Sequence, residues 1–385
     1  MDKAKELLKK NTMLIALAIV TIFFSFQTSG TLLVPQNVTN LIAQNGYVVV
    51  LAVGMLICIL TGGNIDLSVG SVVALVGALA GELIVNRKMN MWLAILICLI
   101  TGIVIGVIQG YWIAYLRIPA FIVTLAGMLI WRGVALIILN GLTISPFPDN
   151  YLNLFNSYVP DVFGGNINIL CLIVGVLVCI GYVVFQFIGR ARKSSKGYEV
   201  ERFGPFIGRI AVICVVTMAL AYSLASHRGI PTILILLAVV VLIYGYYTTK
   251  TVPGRYLYAV GGNEKAARLS GVNTNKVLMF AYVNMAFLSA VAALMCIARF
   301  NSAAPTAGTS YEMDAIGSCY IGGASAYGGI GTVGGVVIGA IFMGVLNNGM
   351  SIMGIDANVQ KVVKGVVLLA AVTFDVISKK RGKTA

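Results

Sequence analysis

Charge is what this sequence has least of. Of its 385 residues, 10% are Asp, Glu, Lys or Arg, 59% are hydrophobic, and the mean hydropathy is +0.95. A soluble domain carries about 25% charged residues, so a water-soluble globule is excluded. Histidine is almost missing: His227 stands alone, which excludes an H-E-x-x-H helix or a metal cluster built on histidines. No G-x-x-x-x-G-K-[ST] phosphate loop occurs, so the chain does not hydrolyse ATP by that route. Acids and bases within apolar stretches are too few for a proton-relay chain. The cysteines (Cys58, Cys98, Cys171, Cys179, Cys214, Cys296 and Cys319) lie in apolar segments without a C-x-x-C pair and read as small packing residues.

What is present is a succession of apolar stretches. A membrane span needs about 20 mostly apolar residues, and candidates run over 12–29, 45–62, 70–86, 92–115, 120–140, 167–188, 208–226, 230–248, 277–298, 332–349 and 359–377. Helices satisfy their own backbone polar groups in lipid. The expected fold class is therefore all-α, a polytopic integral membrane protein with about 10–11 transmembrane segments, some of them broken. One transmembrane domain accounts for residues 1–385.

The net charge of +14 does not require a nucleic-acid partner, because its distribution explains it. With a cytoplasmic N-terminus, 20 of the 27 Lys and Arg fall on one side, in Lys3–Lys10, at Arg117, and in Arg190–Arg209, Lys250–Lys276 and Lys379–Lys383. That is the positive-inside bias. It assigns 1–11, the basic loop 189–207, the loop 250–276 and the tail 378–385 to the cytoplasm. The start, "MDKAKELLKK", precedes an apolar stretch without a convincing cleavage site, so an uncleaved first helix is expected. Parity of crossings returns the tail inside only if a short or broken descending helix occupies about 312–325, within "YEMDAIGSCYIGGASAYGG". "TGGNIDLSVGS" and "GGASAYGGIGTVGG" then hold equivalent places, a sign of a two-fold internal repeat with parallel halves. Small residues four apart (Gly77 and Gly81; Gly102, Gly106 and Gly110; Gly335 and Gly339) predict close helix packing, within one subunit or between subunits.

Two segments carry candidate function. In the first, Asp66 sits among glycines where a span should continue. An acid at membrane depth costs about 2.5–3.5 kcal/mol on insertion scales, so it caps, pairs or faces a cavity. Followed by Ser68, it is expected to N-cap a helix beginning near Leu67, with contact to a permeating polar solute as the other reading, for Asn64 also. In the second, "YAVGGNEKAARLSGVNTNKV", Asn263 is expected to cap a short helix Glu264–Ser270 that Gly271 ends in the left-handed conformation. Ala266 and Ala267 give that helix a smooth face for a partner, the bland alternative being a connecting helix that touches nothing. Gln44, Asn45, Gln109, Asn347 and Asn348 are expected to bond between helices or to face a solute. Lys361 and Lys364 are expected to snorkel to the outer surface.

Together "GGNIDLSVGS", "IPAFIVTLAGMLIWRG", "YAVGGNEKAARLSGVN", "IGGASAYGGIGTVGG" and "LNNGMSIMGI" resemble the permease subunits of bacterial ATP-binding-cassette importers for monosaccharides, the xylose-type and multiple-monosaccharide permeases above all. The resemblance runs from about Asn37 to Asp375. It implies a homodimer of permeases, two cytoplasmic ATPase subunits that hold ATP and Mg2+, an extracytoplasmic sugar-binding protein, and no cofactor in this chain. It also implies that Asn263, Glu264, Lys265, Ala266, Ala267, Arg268 and Gly271 form the helix coupling to the ATPase. The family pattern E-A-A, three residues, Gly is met by Ala266, Ala267 and Gly271, with Lys265 where the Glu would stand. A sugar path wants hydroxyls, amides and weak sites, and Asn64, Asp66, Ser68, Asn347 and Asn348 are its candidates. The rival readings are a branched-chain amino acid permease of the same style, a facilitator working alone, and a membrane scaffold or intramembrane enzyme, for which no clustered nucleophile and base is found.

Overall fold

The computed structural model describes residues 12–165, 167–198, 200 and 202–383. The expected cytoplasmic N-terminus, 1–11, lies outside the described residues, as do 199 and 201 of the basic loop and the last two residues of the tail. Every regular element among the described residues is helical, with two isolated bridges and no strand.

α1 (Thr12–Gln27) is followed by α2 (Pro35–Leu60), which begins ten residues before its expected span because Pro35 starts it and its first turns are polar. The chain then breaks over 61–68. α3 (Val69–Gly81) continues through a π-helical turn at Glu82–Asn86. α4 (Met91–Ala114) is capped by the Asn90 side chain, which accepts from Trp92 N and Leu93 N. α5 (Ala120–Leu139), a short α6 (Asp149–Asn156), α7 (Ile169–Ser195), α8 (Phe203–Ala225) and α9 (Thr232–Lys250) follow. The loop 250–276 is largely helical, holding α10 (Val252–Gly262) and α11 (Glu264–Leu269). α12 (Thr274–Phe300), the short α13 (Tyr311–Ile321), α14 (Val333–Ile352) and α15 (Ala357–Lys383) complete the chain. The half-helix expected over 312–325 is α13, 11 residues long.

Among the described residues, nine helices are long and apolar enough to cross a membrane. α1, with 16 residues, and α15, which carries Lys361, Lys364 and Asp375, fall outside that set. The nine divide into two layers. In α2, α3, α12 and α14, 67% to 83% of the apolar window is buried by protein; in α4, α5, α7, α8 and α9 the share is 11% to 28%. The outer helices keep their apolar faces for lipid, and the polar breaks are enclosed by the inner four.

The small-residue spacings pack inside the subunit. A methyl on Gly106 would come within 2.6 Å of Val283 Cα, and one on Gly102 within 2.7 Å of Ala290 Cβ, so the α4 glycines are the seam against α12. Gly339 and Gly335 face the backbone of α13 at Ser318 and of its C-terminal cap at Gly322 in the same way, and Gly77 and Gly81 face Ile297 and Ala303.

Candidate functional site

α11 is held on three sides by its own chain. The Asn263 side chain accepts from Ala266 N at 3.0 Å, as expected of its cap. Gly271 adopts φ +85°, and Val272 N donates to Ala267 O at 3.0 Å, closing the helix in the left-handed turn that favours glycine. The third hold is Arg117, from the turn between α4 and α5: its guanidinium meets Glu264 Oε1 at 2.6 Å, Asn275 Oδ1 at 2.6 Å and Thr274 Oγ1 at 3.2 Å. Partial burial alone would raise the Glu264 carboxyl, but hydrogen bonds from Arg117 and Thr274 and the charges of Arg117 and Arg268 outweigh it and hold it below the usual glutamate value. Glu264 therefore faces its own subunit. Ala267 is buried, whereas Ala266, Lys265 and Arg268 are exposed and Leu269 is 89% exposed. The two alanines thus do not share one face, Ala267 being turned inward, and the outward face is Lys265, Ala266, Arg268 and Leu269. Leu269 is an addition to the sequence expectation; an apolar side chain on a basic loop was its signal.

Asp66 is fully enclosed, 1% exposed. Its Oδ1 accepts from Ser68 N at 2.8 Å and Ser68 Oγ at 2.6 Å, and Gln109 Nε2 of α4 donates to Ser68 Oγ at 3.0 Å. The position before α3 belongs to Ser68, whose side chain makes no cap bond. Asp66 therefore does not cap at the N-terminal position; it closes a side-chain turn two residues ahead, the local bond that short acids favour over helix. The break re-enters along α2, with Asp66 N 3.5 Å from Met55 Sδ. Asn64 stays half-buried in the loop and donates to Thr61 O at 3.2 Å. Asp66→Asn keeps an acceptor for Ser68 and is expected to leave melting temperature and uptake close to wild type, whereas Asp66→Ala orphans buried donors at about 1–3 kcal/mol. An Asn variant that melts normally but transports poorly would give the carboxylate a role beyond the turn.

Asn347 and Asn348 lie elsewhere. Asn348 exchanges amide hydrogen bonds with Asn37 of α2, at 2.8 and 3.2 Å. Asn347 reaches Asp314 of α13. The same carboxylate receives Lys364, whose Nζ lies 2.9 Å from Oδ1 and 3.2 Å from Oδ2. Lys364 thus does not snorkel outward: a buried acid opposite it offers a better partner than the surface, while Lys361, one turn earlier, is exposed. Nearby, Tyr311 stacks on Tyr47 at 4.1 Å and Arg132 donates to the carbonyls of Pro305 and Ala307, fixing the 301–310 segment that leads into α13. The candidate path residues accordingly occupy three places and do not ring one cavity. Sequence reasoning passed over Asp314; an acid inside an apolar half-helix was the available signal.

The two glycine-rich breaks meet. Gly329 N donates to Leu60 O at 3.1 Å, a methyl on Gly63 would overlap Ala326 O, and one on Gly328 would come within 2.5 Å of Gly62 Cα.

Comparison with known proteins fits these features. Residues 37–372 match the family model described as branched-chain amino acid transport system / permease component. The xylose transport system permease protein XylH of Escherichia coli K12 is 37% identical over 96% of this chain and 92% of its own length. Its Haemophilus influenzae counterpart is 37% identical over 96% of each chain, and the ribose import permease protein RbsC of E. coli K12 is 36% identical over 88% of this chain and 85% of its own. No solved structure matches. The chain belongs to this family of membrane permease components, non-catalytic subunits of transport systems.

Proposed function

We propose that the chain is the membrane-spanning permease subunit of an ATP-binding-cassette importer for a monosaccharide, xylose or a related sugar. It works as a homodimer in the bacterial cytoplasmic membrane with both termini cytoplasmic, on two ATPase subunits that bind ATP and Mg2+, and is fed by an extracytoplasmic sugar-binding protein. The observation that carries this reading is α11: a six-residue helix fixed by Asn263, Gly271 and Arg117, with Leu269 left 89% exposed among basic residues. A helix so braced and yet uncovered is built to receive a push. The sugar relatives support the substrate class.

In this mechanism ATP closes the ATPase pair, which presses on Lys265, Ala266, Arg268 and Leu269. Asn263, Glu264, Ala267 and Gly271 keep the helix rigid so that displacement passes into α10 and α12. The inner helices then tilt. Half-buried Asn64 is the candidate for direct solute contact, its amide suited to weak, releasable binding, while Asp66, Ser68, Asn347 and Asn348, buried and bonded within the chain, set the segments along the path. The family description itself favours a second reading, a branched-chain amino acid as cargo.

The test is uptake of labelled xylose, ribose, galactose, glucose and leucine into proteoliposomes, with and without the ATPase and binding protein. Sugar uptake that needs both partners is expected. Leucine uptake would move the assignment to the second reading, and uptake by the chain alone would make it a facilitator.

A further inference from the structure

We propose that a junction of main chain against main chain, centred on Gly261, is the positioning element that carries displacement of α11 into both broken segments at once. The proposal rests on the reading of α11 as the helix that the ATPase pushes.

Gly261 lies in the last turn of α10, two residues before the cap of α11. A methyl there would overlap the carbonyl oxygen of Leu60, the last residue of α2, and come within 2.5 Å of Gly329 N. Those two groups are themselves hydrogen-bonded. One turn earlier on α10, Tyr258 donates its hydroxyl to Gly331 O at 3.0 Å. Gly62 and Gly63 of the first break press on Gly328 and Ala326 of the second, and Ala326 N donates to Asp375 Oδ2 of α15 at 3.3 Å. Four stretches of chain therefore touch main chain to main chain: the end of α10, the end of α2, and both breaks.

Contacts of this kind transmit well. Side chains between helices change rotamer and absorb a shift, whereas backbone in contact with backbone has little to give. The first break leads within a few residues to the Asp66 turn and the start of α3; the second joins α13, which carries Asp314, to α14. A push on α11 thus reaches the starts of α3 and α14 together. Close packing without transmission makes a different prediction: uptake and hydrolysis then fall together, as the amount of folded complex falls.

The experiment uses the reconstituted complex with its ATPase and binding protein, and whichever labelled sugar of the panel above the wild type carries. Wild type without ATPase comes first; uptake persisting there removes the reading of α11, independently of the junction. Gly261→Ala is then expected to bind the ATPase and hydrolyse ATP normally while sugar delivered per ATP falls about tenfold, within the span of measured couplings between sites. Gly262→Ala, with open space around it, is expected to stay within about twofold, the spread of neutral surface substitutions. An unchanged ratio in Gly261→Ala overturns the proposal. Should that variant fail to fold, Tyr258→Phe decides: it adds no volume and removes the bond to Gly331, and the ratio is expected to fall about fivefold. Equality with wild type there overturns the proposal as well.

Discussion

Lys364→Met is expected to cost about 3–5 kcal/mol, because it leaves the Asp314 carboxylate buried without its cation. The Lys364 side chain is 16% exposed and that of Asp314 3%, so water offers the acid little replacement. Asn347 is a neutral partner and cannot balance the charge. The double variant Asp314→Leu, Lys364→Met removes both ions and is expected to recover most of the loss, since replacing a buried pair by apolar residues of similar size is often neutral. Melting temperatures of the purified variants in detergent, followed by fluorescence size exclusion, give the comparison. A double variant as unstable as the single one would mean that the pair itself, and not the orphaned charge, sets the stability.

Gly308→Ala is the second large effect. Gly308 has φ +71° and faces the first turn of α3, where a methyl would overlap Gly70 O and lie 2.8 Å from Gly70 C. The same crossing is closed from the other side, since a methyl on Gly70 would overlap Gly308 O and come within 2.7 Å of Glu312 Oε2. The backbone strain and the overlap together are expected to cost about 2–4 kcal/mol. Gly354→Ala is the control, with φ +70° and nothing within 4 Å of the added methyl; strain alone there is expected to cost about 1 kcal/mol. Equal losses in the two variants would show that the crossing tolerates separation.

Most of the helices were legible in the sequence because lipid enforces one rule, length and apolarity, at every span. The ends were less so. The start of α2 at Pro35 was hidden by Gln36, Asn37 and Asn40, which fall outside the expected span until Asn37 is seen bonded to Asn348. The half-helix α13 was legible only by parity of crossings. Caps at Asn263 and Gly271 followed from local chemistry and were found where expected. The Asp66 turn, the inward Lys364 and the burial of Ala267 beside an exposed Ala266 depend on what the remainder of the chain brings alongside. No local pattern encodes that.

The pairing across 50 positions of sequence between Asp314 and Lys364 has a consequence for biosynthesis. α13, 11 residues long and carrying Glu312 and Asp314, is about half the length that partitions into a bilayer unaided. The cation paired with Asp314 is delivered by α15, which follows α13 in the chain. α13 is therefore expected to settle only when α14 and α15 arrive beside it, and a nascent chain that stops short of Lys364 holds a buried acid at Asp314 without its cation.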